Sequence, residues 1–269
     1  MQKKRVRPVK KFLSTFGAAG AILLLCSSAG AAASEFNAAQ KSEIEKIAAA
    51  YIAEHPEVMV AALQKLEQQQ KDLQTSNVRN LGAFYRASDS TPHRGSKDAA
   101  HYIVEFFDFS CGYCKLMEPL MEQLMDDPKY DAQVIYVNLP VISPDSIKSA
   151  TVGQAIFNLS PEGYFRYHKK LMTEKVALNN LDELREIAED LDLDWEKVLE
   201  EIRSRRPQDK ISEDLVSSKT LGITGTPYLI IDGHEFRGAI KDYGALTGLL
   251  EQPEATPPQA GAPKDAGRP

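Results

Sequence analysis

The chain has 269 residues, with 32 basic and 38 acidic side chains, a net charge of −6, and three cysteines. Six of the basic residues and no acid fall in the first 33, so the remainder carries 26 basic against 38 acidic side chains, a net of −12. That balance argues against nucleic acid as a partner, and so few cysteines argue against a scaffold stapled by several disulfides.

The first 33 residues read as a targeting segment. "MQKKRVRPVKK" is followed by the apolar stretch "FLSTFGAAGAILLLCSS" and by Ala31, Ala32 and Ala33, an A-x-A site before Ser34. The expectation is a secretory signal peptide cleaved near Ala33. Cys26 leaves with it, and the mature protein keeps only Cys111 and Cys114.

Residues 34–78 read as an N-terminal helical segment. Ile44, Ile47, Tyr51 and Ile52 form one stripe, His55-Pro56 breaks it, and Met59, Leu63, Leu66, Gln70 and Leu73 form a second in alternating steps of four and three. Two short amphipathic helices cannot bury such stripes against each other and remain stable alone. Pairing with another copy of the chain is expected, with Gln70 as a polar position in the seam.

A main domain is expected over residues 79–252. "LGAFYR" (81–86) reads as a short strand and "ASDSTPHRGSKDAA" as a turn-rich connector. "HYIVEFFDF" is apolar on both faces, as a central covered strand would be. A helix follows from Gly112 to Met125, then a strand over 132–142. Residues 143–221 carry no strand signal but several helix starts: Ser143-Pro144-Asp145, Ser160-Pro161-Glu162, Asn180 and Asp194. They read as a helical insertion, with Trp195 in its core. "TPYLIID", the turn Asp232-Gly233, "HEFRGAI" and a helix from Lys241 to Glu251 give a β-β-α ending. Residues 253–269, rich in Pro and Ala, read as a disordered tail.

The chemistry concentrates in "SCGYCK". A bridge across two intervening residues closes too small a loop to add much stability. A four-ligand zinc site needs a second cysteine or histidine pair, and the five histidines are scattered singly, so no metal is expected. What remains is a redox couple. Cys111 at the first turn of a helix meets free backbone N–H groups and the positive end of the dipole, which favour the thiolate. Cys114, one turn later, can close a bridge on it. Glu105 alternates with Ile103 and Phe107; a buried carboxylate there would have a raised pKa and could accept the proton of Cys114.

"EFFDFSCGYCK" resembles the active-site segment of the thioredoxin superfamily, and most closely its DsbA-like branch of periplasmic thiol-disulfide oxidoreductases. The resemblance implies an α/β thioredoxin fold with an inserted helical domain, over roughly residues 81–251. "GITGTPYLII" is similar to that family's cis-proline loop, which places Thr226 and Pro227 beside the sulfurs, and Pro119 matches the active-site helix. Gly112 and Tyr113 differ from the Pro-His of the strongly oxidising members, and Thr226 resembles the isomerase-type ones, which are oligomers joined through N-terminal segments. The implied activity is therefore disulfide isomerisation on unfolded or misoxidised secreted proteins. It would use a Cys111–Cys114 disulfide and no other cofactor, with a membrane redox partner. Two alternatives stay open: a dithiol oxidase recycled by a membrane quinone reductase, and a chaperone or copper-binding module.

Overall fold

In the computed structural model residues 36–251 are described, so the expected signal segment and tail lie outside them. The chain divides after Val60 into two units.

In the first unit, α1 (Ala38–Glu54) opens on a capping box: Asn37 Oδ1 accepts the Gln40 N–H at 2.9 Å while Gln40 Oε1 accepts the Asn37 N–H at 3.0 Å. Pro56 begins α2 (Pro56–Ala87), where its missing N–H is one that the helix leaves unpaired in any case. No residue of α1 is buried, and Ile44, Ile47, Tyr51 and Ile52 are all open to solvent.

In the second unit, Leu63, Leu66 and Leu73 of α2 are equally open, and then the helix changes character. Val78, Gly82 and Tyr85, spaced by four and three, turn inward. The strand expected over 81–86 is therefore the end of a helix. Its apolar residues follow the helical period and pack on a sheet instead of joining it. Gly82 permits the approach, since a Cβ there would meet the Tyr102 hydroxyl at 2.8 Å. The ring of Tyr85 meets Phe106 edge-on at 5.5 Å, and its hydroxyl donates to buried Asp214 at 2.9 Å. Burying a ring of this size contributes on the order of 2–3 kcal/mol.

The sheet holds β1 (His93–Arg94), β2 (His101–Phe107), β3 (Ala132–Asn138), β4 (Tyr228–Ile231) and β5 (His234–Arg237) in the order β1-β3-β2-β4-β5. β2 runs parallel to β3 through the helix α3 (Gly112–Asp126), and antiparallel to β4. The connector thus contains a two-residue strand that its turn-rich composition conceals. β3 stops at Asn138, short of the expected 142, because Pro140 has no N–H for a ladder. The apolar pattern of β2 on both faces has the anticipated cause. Ile103 and Phe107 enter one core beneath α3, whereas Tyr102, Val104 and Phe106 enter a second beneath the end of α2.

Between β3 and β4 lie α4 (Ser146–Leu159), α5 (Pro161–Thr173), α6 (Leu181–Asp190), α7 (Trp195–Arg203) and α8 (Arg206–Thr220), and α9 (Tyr243–Leu250) closes the fold. Ser160, Asn180 and Asp194 each cap a helix through the side chain. This is a thioredoxin fold with an inserted helical domain, preceded by a helical segment.

Candidate active site

β2 delivers the chain to a pinned turn. The buried carboxylate of Asp108 accepts the N–H groups of Ser110 at 2.7 Å and Ile142 at 2.9 Å, and its backbone carbonyl accepts the N–H of Cys111 at 2.9 Å. Cys111 is thereby set as the N-cap residue of α3, with no side-chain bond to the first turn. The amides a capping oxygen would take are left facing its sulfur. The thiol itself donates to the carbonyl of Thr226 at 3.3 Å.

That carbonyl favours the neutral thiol, but the other neighbours favour the anion. The Cys111 pKa falls from 9.0 to about 5: the Cys114 thiol is the strongest influence, burial opposes it, and the Thr226 side chain and the amides of Cys114 and Tyr113 add to the lowering. The Thr226 hydroxyl oxygen is buried, with no hydrogen-bond partner within ordinary distance among the described residues. Cys114 is fully buried and moves the opposite way. Its bond to Cys111 is the largest cause, followed by burial and the charge of Glu105. Both cysteines are free thiols.

Glu105 sits in the middle of β2, 1 % exposed, with Oε1 buried and unpartnered. Burial, then Glu118, then Cys111 hold its pKa well above 4.5. Among the described residues no lysine pairs with it; its neighbours across the sheet are Tyr136 on β3 and Leu229 on β4.

The Thr226–Pro227 peptide is cis. Beside it a hollow of about 500 Å³ is lined by Tyr113, Leu116, Thr226, Pro227, Ile240 and Lys241, among others. Tyr113 and Leu116 are 65 % and 69 % exposed at its rim. Gly112 faces open space, and a Cβ there would meet nothing within 4 Å.

The fold thus gathers Cys111, Gly112, Tyr113, Cys114, Glu105, Thr226 and Pro227 from three separate stretches around one pair of sulfurs. Sequence reasoning missed Asp108, Leu116, Ile240, and a buried pair formed by Glu118 and His168. Asp108 had a signal, an acid just before a helix start; the hollow and the buried pair had none, because they join residues that lie far apart in the sequence.

A dithiol at a helix start, against a cis-proline loop on a five-stranded sheet, is the site of the thioredoxin class. The family model for thioredoxin matches residues 87–252, and the chain belongs to that family. A second model, the N-terminal domain of the copper resistance protein ScsC, matches residues 40–72. Among solved structures, ScsC of Proteus mirabilis in a transitional conformation is 26 % identical, with a TM-score of 0.58 over 80 % of this chain and 95 % of that one. The probable disulfide bond formation protein D of Bacillus anthracis is 24 % identical over 156 residues, 52 % of this chain and 69 % of that protein. The Na(+)/H(+) antiporter NhaA 3 of Salinispora tropica is 28 % identical over 147 residues, 54 % of this chain, and the chain spans only 22 % of that antiporter's length.

Proposed function

We propose that the protein is an exported thiol-disulfide oxidoreductase that acts as a disulfide isomerase on misoxidised secreted proteins and works as an oligomer. The observation that carries this reading is the placement of the Cys111 sulfur at a bare helix start, 3.3 Å from the Thr226 carbonyl and beside an apolar hollow. The Cys111 thiolate attacks a client disulfide. One Cys111–client S–S bond forms, and the client bond breaks with its electron pair on the departing client sulfur. That sulfur can attack elsewhere in the client, and the exchange ends with the Cys111 thiolate restored and no net oxidation. When a client lingers, Cys114 attacks the Cys111 sulfur, expels the client as a thiolate, and leaves a Cys111–Cys114 disulfide for a membrane partner to reduce. Glu105 takes the Cys114 proton in that step.

The hollow accepts apolar segments of unfolded chains, with Tyr113 and Leu116 at its rim. The oligomer is supported by the uncovered apolar stripes and by the match of residues 40–72 to the ScsC N-terminal domain. Leu63→Glu with Leu66→Glu should reduce the native mass to that of one chain and lower isomerase activity severalfold, with the reactivity of Cys111 unchanged. A native mass that stays multimeric contradicts the seam.

Two assays run side by side test the reaction. The dithiol protein should reactivate a scrambled multi-disulfide substrate faster than the disulfide form oxidises a reduced one. The reverse order identifies an oxidase. Tight Cu(I) retention without either exchange favours the copper reading, which the softness of two thiolates and the name of the N-terminal domain's relatives support.

A further inference from the structure

Behind the sulfurs lies a buried polar cluster that thiol exchange as described does not use. Glu118, one turn beyond Cys114 on the inward face of α3, is 1 % exposed, and its Oε2 lies 3.1 Å from Nε2 of His168 on α5, itself 2 % exposed. The other ring nitrogen of His168 is 3.3 Å from the Tyr164 hydroxyl. The imidazole lies 4.9 Å from Phe107 and 4.6 Å from Tyr136, ring to ring. Phe107 is the next residue of β2 on the face of Glu105, and Tyr136 is its partner across the ladder. The Glu118–His168 pair therefore stands one layer of side chains from Glu105, whose Oε1 has no partner of its own. Asn138, at the end of β3, likewise has both amide atoms buried and unpaired.

A buried charge is retained at a cost unless it is paired, and this one is paired with His168. Arg94 of β1 and Lys169 of α5 also act on Glu118, and with His168 they hold its pKa below 4.5 against the opposing effect of burial. The groups that act on Glu105 are Cys111, Cys114 and Glu118 from α3, Tyr136 from β3, and Tyr164 from α5; Leu229 of β4 is apolar. Glu118 is the other carboxylate among them, and its charge persists when the Cys111 sulfur is tied up in a mixed disulfide.

We propose that Glu118, held by His168, is a positioning residue for the resolving thiol: its negative charge sets how tightly Glu105 holds a proton, and so how readily Cys114 closes on Cys111. During closure Cys114 gives its proton to the Glu105 carboxylate and its sulfur bonds to Cys111, and the client leaves with the electron pair of the broken bond. In reverse, Cys114 departs as a thiolate and takes the proton back from Glu105. Like charges in a dry site raise the proton affinity of one partner, so Glu118 makes Glu105 a stronger base once it is ionised and keeps it protonated to higher pH.

The inference rests on Glu105 acting as the proton acceptor, and the test separates the two. The reduced full chain is mixed with excess glutathione disulfide. The slower phase, independent of glutathione disulfide concentration, reports closure by Cys114 and is followed against pH. Glu105→Gln should abolish the acid limb of that profile; an unchanged profile overturns the role of Glu105. Glu118→Gln should move the midpoint about one pH unit to the acid side, making closure about 10-fold faster well below the midpoint. The double variant Glu118→Gln, His168→Gln keeps a neutral pair should the single one fold poorly, and should shift the same way. A midpoint that stays at the wild-type value in both, with Glu105→Gln altered, overturns the inference. A purely structural pair would change stability and leave the midpoint alone.

Discussion

On the proposed isomerase mechanism, Cys111→Ala should lower reactivation of a scrambled multi-disulfide substrate to the uncatalysed rate. In that mechanism Cys111 begins exchange and Cys114 does not, because Cys114 is fully buried and its proton is held tightly by its bond to Cys111, by burial and by Glu105. The change removes one atom at a helix start where the side chain caps nothing, so melting should move by no more than about 1 kcal/mol. Cys114→Ala gives a different phenotype. The attacking sulfur survives, clients still react, and mixed disulfides accumulate because nothing inside the protein releases them. Activity in Cys111→Ala within a few-fold of wild type would mean that another group attacks. Following both variants with one substrate, by enzyme-activity recovery and by non-reducing mass analysis, separates attack from release.

Glu105→Gln raises stability, and the gain grows with pH. The ordinary carboxyl pKa of 4.5 is raised well above that value in the folded chain, by burial first and by Glu118 and Cys111 after it. A raised value stabilises the fold below the unfolded-state pKa, and that contribution is lost as pH climbs toward the folded-state pKa. Above 4.5 the unfolded chain ionises freely while the folded chain retains its proton, at about 1.4 kcal/mol per pH unit. Glutamine has nearly the same shape and no proton to lose. Denaturant unfolding of wild type and variant at pH 4, 5, 6 and 7 should give curves that nearly coincide at the lowest pH and separate steadily. A constant difference across that range would place Glu105 in an ordinary, solvated setting. The variant would be more stable and less active, the trade expected where an active site stores an unfavourable group.

Local chemistry was the legible part of this molecule. "FFDFSCGYCK" announces a strand, a turn and a helix start with sulfur at the cap, because each element is set by neighbours a few residues apart. The two-sided apolar pattern of β2 and the capping residues Ser160, Asn180 and Asp194 were readable for the same reason. Residues 81–86 were misread because a six-residue apolar stretch with two aromatics satisfies a strand as well as a helix. Only the longer spacing of Val78, Gly82 and Tyr85, and the sheet they cover, decide between them. The two-residue β1 was hidden because its strand character comes from β3 beside it. Glu105 was visible through alternation alone, but its neighbours Glu118 and His168 come from separate helices that only the folded topology brings together.

Cys114, the start of α3 and the Thr226 side chain lower the Cys111 pKa far enough for its sulfur to be an anion at neutral pH. The rate of alkylation of Cys111 against pH in the reduced chain, read by mass at that residue, tests this. A single titration with a midpoint at about 5 is the expected result, with Cys114 unreactive across the same range. A midpoint near the ordinary thiol value of 9.0 would contradict the account.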